Sequence, residues 1–207
     1  WLAAGGKTVF LQDADSLMIK TDHMVQVLKH LKKTFPTIQR ITSYSRSRTI
    51  VRKPETDLEK IANAGLDRLH IGLETGDAAL LKKIKKGATP EDHVKGGQKA
   101  MNAGFQVSEY WMPALGGKAM SYDHAKNTAI ILNQINPHYI RSRPFTPRPG
   151  TIFFEKASRN ELERLTPKEQ LLEIKQTLEA LNVTSRICFD HAGNFWKKSN
   201  GRLLLSK

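Results

Sequence analysis

Residues 64–87 run AGLDRLHIGLETGDAALLKKIKKG, and the nine at its centre, RLHIGLETG (68–76), set the fold. Arg68 to Leu73 forms a short, mostly apolar run of the kind a buried strand needs. A carboxylate, Glu74, stands where the run stops, and Thr75 and Gly76 follow on a tight turn. Helix-like segments flank this strand on both sides. KPETDLEKIANAG (53–65) has a proline and acids near its start and Gly65 at its end. TGDAALLKKIKKG (75–87) closes on Gly87, with its lysines in the last turn, where the helix dipole favours them.

The same alternation extends outward. Thr8–Leu11 predicts a strand, followed by a helix from Thr21 with Met24, Val27, Leu28 and Leu31 at helical spacing, stopped by Phe35-Pro36. Ile38–Tyr44 predicts a second strand. After the 68–76 strand come a helix in TPEDHVKGGQKAMNAG (89–104), a strand over Phe105–Met112 and a helix opened by Ser121 and stopped at Pro137. Tyr139–Phe145 predicts a fifth strand and FTPRPGT (145–151) a loop. A long amphipathic helix starts at Thr166-Pro167, Val183–Phe189 makes a last strand, and the tail to Lys207 reads as irregular. Strand-helix alternation of this kind predicts an α/β fold with a parallel sheet, either doubly wound or a barrel; periodicity does not separate the two.

Composition narrows the function classes. The chain has 207 residues, 39% apolar and 26% charged, which is the balance of a soluble globular protein with one or two cores. No apolar run reaches the roughly 20 residues that cross a bilayer. The single cysteine, Cys188, excludes an internal disulfide and a cysteine-only metal site made by this chain. It fits a reducing, cytoplasmic compartment. The net charge of +13 gives two readings: an electrostatic footprint for nucleic acid, or a solvated basic surface. No phosphate loop, dinucleotide fingerprint or nucleophile elbow is present.

In parallel α/β sheets the ligand sits beyond the carboxyl ends of the strands. The residues there are Gln12, Asp13 and Asp15 after the first strand and Ser43, Tyr44 and Arg46 after the second. Glu74, Thr75 and Gly76 follow the third, MPALGGK (112–118) follows the fourth, and Arg141 and Arg143 lie on the fifth. This row mixes carboxylates with guanidinium groups. Glu74 on a rigid strand end suits an acceptor for an ammonium or a ribose diol; the alternative is a structural ion pair with Arg141. Asp13 and Asp15 either bind or cap the next segment. His70 reads as a core histidine. The Asp190, His191 and Asn194 cluster either reaches a pocket or stabilises its own turn.

Several of these segments together resemble the radical S-adenosylmethionine superfamily. They are FLQDADSL, ITSYSR, AGLDRLHIGLETGDAALLKKIKKGAT, AGFQVSEYWMPALGGK and INPHYIRSRPFTPRPGT, spread over residues 7–155, and DHAGNFW resembles the end of an Fe-S oxidoreductase-like subgroup. The resemblance implies a partial (β/α)6 barrel over residues 1–155, with residues 156–207 as a C-terminal helix and tail packed on it. It implies an enzyme that reductively cleaves S-adenosylmethionine, bound to a [4Fe-4S] cluster, to a 5′-deoxyadenosyl radical. By position, Gln12, Asp13 and Asp15 take the place of the amino-group-binding turn. Ser43, Arg46 and Glu74 match strand ends that meet ribose and methionine, and Leu115, Gly116 and Gly117 match the segment supporting adenine. Arg141 and Arg143 would look toward cofactor or substrate. The chain departs from the family pattern in Thr75, where serine is common, in Ala114, where glycine is common, and above all in lacking the CxxxCxxC cysteines. The expectation is therefore a fragment without the first βα unit, carrying no iron and inactive alone. The alternatives are a non-catalytic α/β module for nucleic acid or a partner, and a conventional barrel lyase using Glu74.

Overall fold

The computed structural model describes residues 5–159, 161–191, 193–194 and 204–205. Among them one sheet has the strand order β1-β2-β3-β4-β5-β6-β7. Its members are β1 (Thr8–Leu11), β2 (Arg40–Ser45), β3 (Arg68–Glu74), β4 (Gln106–Trp111), β5 (Tyr139–Ser142), β6 (Arg186–Cys188) and β7 (Leu204–Leu205). The pairs β1/β2, β2/β3 and β5/β6 are parallel, with Thr8 opposite Arg40, Thr42 opposite Arg68 and Tyr139 opposite Arg186. Only β7 runs antiparallel, on β6. This corrects the irregular tail expected from sequence: Leu204 and Leu205 add a strand.

Eight helices connect the strands among the described residues: α1 (Thr21–Thr34), α2 (Ser47–Arg52), α3 (Glu55–Ala64), α4 (Ala78–Lys83), α5 (Pro90–Asn102), α6 (Gly117–Ile135), α7 (Ile152–Ser158) and α8 (Pro167–Glu179). Their ends follow local chemistry. Gly65 closes α3 at φ 106°, which a Cβ would disfavour. The Asp77 carboxylate caps α4 by accepting Leu80 N–H at 2.7 Å. Thr166 and Glu169 form a reciprocal capping box on α8, with Pro167 at its first position. Two short helices, α2 and α7, escape the sequence pattern because neither is long enough to show a period. Ser121 does not open α6, which starts one turn earlier at Gly117.

The chain divides into two compact units. The first holds residues 1–72 and 91–109, and its core joins Leu17, Leu28, Ile41, Ile61, Leu69 and Phe105, all essentially buried. Met24 and Leu28 on α1 and Leu58 and Ile61 on α3 face this core. Fully burying one such side chain stabilises by about 2 kcal/mol. The second unit holds residues 73–90 and 110–207. There α8 packs against α6, and Leu73, Leu80, Trp111, Leu132 and Ile140 are buried.

Candidate functional site

In the first unit the turns after β1 and β2 are tied together by one carboxylate. Asp15 is buried, and its Oδ1 accepts from the Ser45 hydroxyl at 3.1 Å and the Arg46 N–H at 3.2 Å. Its Oδ2 accepts from the Thr49 hydroxyl. Three donors satisfy a buried charge that would otherwise be costly. Ser43 is also buried, donating to the carbonyls of Leu11 and Tyr44. Gln12, Asp13 and Arg46 are exposed. Asp13 adopts φ 130°, a conformation that L-residues rarely take, which sets the shape of this turn. On one face of the strands Phe10 packs edge-on against Tyr44 at 4.7 Å and stacks on the buried His70 at 5.6 Å. Behind the turn α2 and α5 approach closely: a Cβ on Gly96 would lie 2.9 Å from the Ser47 carbonyl oxygen.

In the second unit β3 ends on Glu74 at φ 63°, and its carboxylate pairs with Lys86 Nζ at 2.8 Å. The alternative reading of a Glu74 pair with Arg141 is not the one formed: Arg141 bonds Asp190, just past the end of β6. Lys86 lies just past α4, whose chain returns toward the strand end, so the ion pair of Glu74 is made with a lysine that the sequence reading did not name. Thr75, Gly76 and Asp77 are buried. Gly76 N–H donates to Thr128 Oγ1 at 3.0 Å, and a Cβ on Gly76 would meet the Asn127 carbonyl oxygen at 2.3 Å. Here glycine is required by the close approach of α6.

His124 on α6 reaches both strand-end turns of this unit. Its Nε2 lies 3.0 Å from the Met112 carbonyl and its Nδ1 2.8 Å from Thr75 Oγ1. A carbonyl only accepts, so Nε2 carries the proton and the Thr75 hydroxyl donates to Nδ1. Burial pushes the His124 pKa down to about 4, keeping the ring neutral. Thr75 Oγ1 in turn accepts Asp77 N–H at 3.0 Å, and Asn127 donates to the same aspartate at 2.7 Å.

The turn after β4 contains Leu115, Gly116 and Gly117, all buried, and Ala114 at φ 68°. Glu173 of α8 accepts Ala114 N–H at 2.6 Å and the Ser121 hydroxyl. Burial raises the Glu173 pKa. Past β5, Arg143 is exposed, while Arg141 is half-buried. Asn194 brackets the end of β5, accepting from the Ser142 hydroxyl at 3.0 Å and donating to its carbonyl at 3.1 Å. Asn194 thus secures the end of β5, while His191 Nδ1 accepts Gly193 N–H nearby.

Sequence reasoning missed Lys86, His124, Ser121 and Glu173. Two of them carry a signal. Gln170, Glu173 and Thr177 recur on the buried face of α8 beside Ile174, and His124 sits among buried Ala125, Thr128 and Ala129 on α6. A polar residue in an apolar helical stripe marks a buried hydrogen-bonding task.

Cluster ligation has no donor set in this chain. Cys188 is the single cysteine and is buried on β6, and no His, Cys, Asp and Glu grouping among the described residues suits a metal. A [4Fe-4S] cluster is held by cysteine thiolates, so these residues do not fit it. No helix of the described residues is long and apolar enough to cross a membrane.

Residues 2–129 match the family model of the Radical SAM superfamily. A tRNA uridine(34) acetyltransferase of Methanocaldococcus jannaschii is 26% identical over 118 residues, 56% of this chain and 22% of that protein. The heme chaperone HemW of Buchnera aphidicola is 23% identical over 153 residues, 72% of this chain and 39% of that one. The solved structure of archaeal Methanocaldococcus infernus Elp3, with residues 1–46 deleted, has a TM-score of 0.67 at 17% identity, covering 89% of this chain and 48% of that one. The chain therefore spans well under half the length of the curated relatives it matches. The structural likeness shows the fold, an open α/β sheet of the partial (β/α)6 barrel class.

Proposed function

The chain belongs to the radical S-adenosylmethionine superfamily, and we propose that it forms the S-adenosylmethionine-contacting part of an Fe-S oxidoreductase-like enzyme whose substrate it does not reveal. The family uses S-adenosylmethionine with a [4Fe-4S] cluster; the cofactor, when bound, supplies the radical chemistry. A cluster would need cysteines that this chain does not contain, so its own residues are assigned only to binding and orientation. The proposed barrel portion is residues 1–155, with 156–207 as its C-terminal support.

The observation that carries this reading is the family match itself, because residues 2–129 include four of the five polar strand ends. In the first unit, Gln12 and Asp13 are exposed on a turn whose shape Asp15 fixes. An exposed carboxylate there suits an amino group, and the exposed Arg46 guanidinium suits a carboxylate. Ser43 supports this turn through Leu11. In the second unit, Glu74 suits a ribose diol, Leu115, Gly116 and Gly117 suit an adenine face, and Arg141 and Arg143 suit cofactor or substrate. Equilibrium dialysis with labelled S-adenosylmethionine tests the assignment. The chain is expected to retain the label saturably, and Asp13→Ala to weaken retention about tenfold, the loss of one charge-assisted hydrogen bond. Absence of saturable retention refutes the proposal.

A second reading rests on the net charge of +13. Lys29, Lys32 and Lys33 are exposed on α1, and the M. jannaschii relative is named for a tRNA modification. Under this reading the chain is a basic module for nucleic acid, as support for substrate binding or in its own right. RNA binding whose affinity falls steeply with salt, unaffected by S-adenosylmethionine, favours it over the first.

A further inference from the structure

The last helix of the second unit places an acid where α-helical packing alone has no use for one. Ile174 already supplies apolar contact on the buried face of α8. Glu173 beside it has a fully buried side chain. Burying a carboxylate costs free energy unless donors are arranged for it, and an apolar side chain of similar volume is often no worse for stability. Here the donors are arranged on one target. Ala114 N–H lies 2.6 Å from Oε1, and the Ser121 hydroxyl bonds Oε2. His124 Nε2 is 3.8 Å from Oε1 and has its proton directed to Met112.

The target is a strained turn. Ala114 holds φ 68°, which costs a non-glycine residue about 1 kcal/mol. Gly117 holds φ 62°, and a Cβ on it would lie 2.8 Å from the Glu163 carbonyl oxygen and 2.9 Å from Leu162 Cδ1. Lys118 N–H donates to that same carbonyl at 2.9 Å, while its ammonium pairs with Glu163 at 2.7 Å and with Glu169 at 3.5 Å. Leu162, Glu163, Glu169 and Glu173 therefore all meet the turn or its flank, and all four lie beyond the segment matched by the family model. Conformations of this kind persist only where the surroundings over-determine them, and they cluster at ligand sites.

We propose that Glu173 is a positioning residue: from α8 its carboxylate fixes the 113–118 turn in the conformation that receives the adenosyl group. The inference rests on the assignment of that turn to adenosyl contact. The strain at Ala114 is held by a hydrogen bond from outside the turn, so the segment after residue 155 is a working part of the binding site and not only a cover for the sheet.

Hydrogen exchange and equilibrium dialysis on the full chain test it, with labelled S-adenosylmethionine as the probe. Glu173→Ala should raise amide exchange at residues 114–118 by about tenfold, the equivalent of the one hydrogen bond that Ala114 loses. Exchange in β2 of the first unit should stay unchanged. S-adenosylmethionine retention should weaken about tenfold. Glu173→Gln, which keeps an acceptor for Ala114, should restore most of both and guards against misfolding of the alanine variant. Ile174→Ala removes buried apolar side chain from α8 while leaving both Glu173 hydrogen bonds in place, and should leave retention within about twofold. Equal loosening of the turn by Ile174→Ala and Glu173→Ala would reduce Glu173 to a packing residue and overturn the proposal. Failure of the unaltered chain to retain S-adenosylmethionine would remove the adenosyl assignment, with exchange at 114–118 still deciding whether Glu173 holds the turn.

Discussion

The two units solve one problem with opposite means. Each must hold turns at the ends of parallel strands in fixed, partly strained shapes. The first unit uses a charge from within the turns: Asp15, two residues past an unusual φ at Asp13, gathers donors from Ser45, Arg46 and Thr49. The second imports its support from helices. Neutral His124 of α6 joins Thr75 to Met112, and Glu173 of α8 joins Ala114 to Ser121. A device carried by the turns themselves stabilises through charge-assisted hydrogen bonds that join one strand-end turn to the next. An imported one makes the turn depend on helix docking, and burial moves its pKa: down for His124, up for Glu173.

The largest expected effect comes from breaking the local device. Asp15→Ala removes the carboxylate acceptor of two hydroxyls and one N–H, at about 1 kcal/mol or slightly more for each bond lost. A loss of about 4 kcal/mol should appear in urea unfolding, while Asp15→Asn, which keeps an acceptor, should lose clearly less. Equal losses from both variants would mean that the charge, and not the bond geometry, holds the first unit's turns.

Acid should separate the units next. His124 has an ordinary pKa of 6.5 and sits near 4 in the fold because burial disfavours its charge. The unfolded chain therefore takes up the proton first. The stabilisation is complete above pH 6.5, falls as pH drops from there toward 4, and amounts to about 3 kcal/mol once lost. Glu173 works against this, since its raised pKa makes the folded state bind a proton more readily as pH falls toward 4.5. Glu173→Gln removes that opposition, so its stability should decline more steeply between pH 6.5 and 4 than that of the unaltered chain. Parallel pH profiles for the two would contradict the assigned burial effects.

The smallest effect tests a part-buried ion pair of the second unit. The Lys86–Glu74 pair is about one-fifth exposed on each side. Lys86→Ala should cost under about 1 kcal/mol, with the loss shrinking in high salt. A cost of several kcal/mol would show that Lys86 supports the second unit's turn as strongly as His124 does.

The strand-helix alternation was readable because β1, β3, α1, α3, α5 and α8 each span enough residues for a period, a cap or a terminal glycine to register. The polar residues Gln12–Asp15, Ser43, Glu74 and 115–117 were readable as strand ends because each follows a short apolar run. Their partners were not. Glu74 called for a cation, and both Arg141 and Lys86 satisfy that demand on paper; chain return after α4 chose Lys86. Nothing in the sequence links His124 to Thr75 across 49 positions or Glu173 to Ala114 across 59.

The sequence by itself determined the fold class, the superfamily and the absence of cluster-binding cysteines, since each follows from local period, motif order or a residue count. Tertiary structure alone decided which polar groups are spent on holding turns and which stand exposed for a ligand. Hydrogen bonds between distant segments depend on helix docking, and docking is set by summed apolar burial that no short pattern encodes.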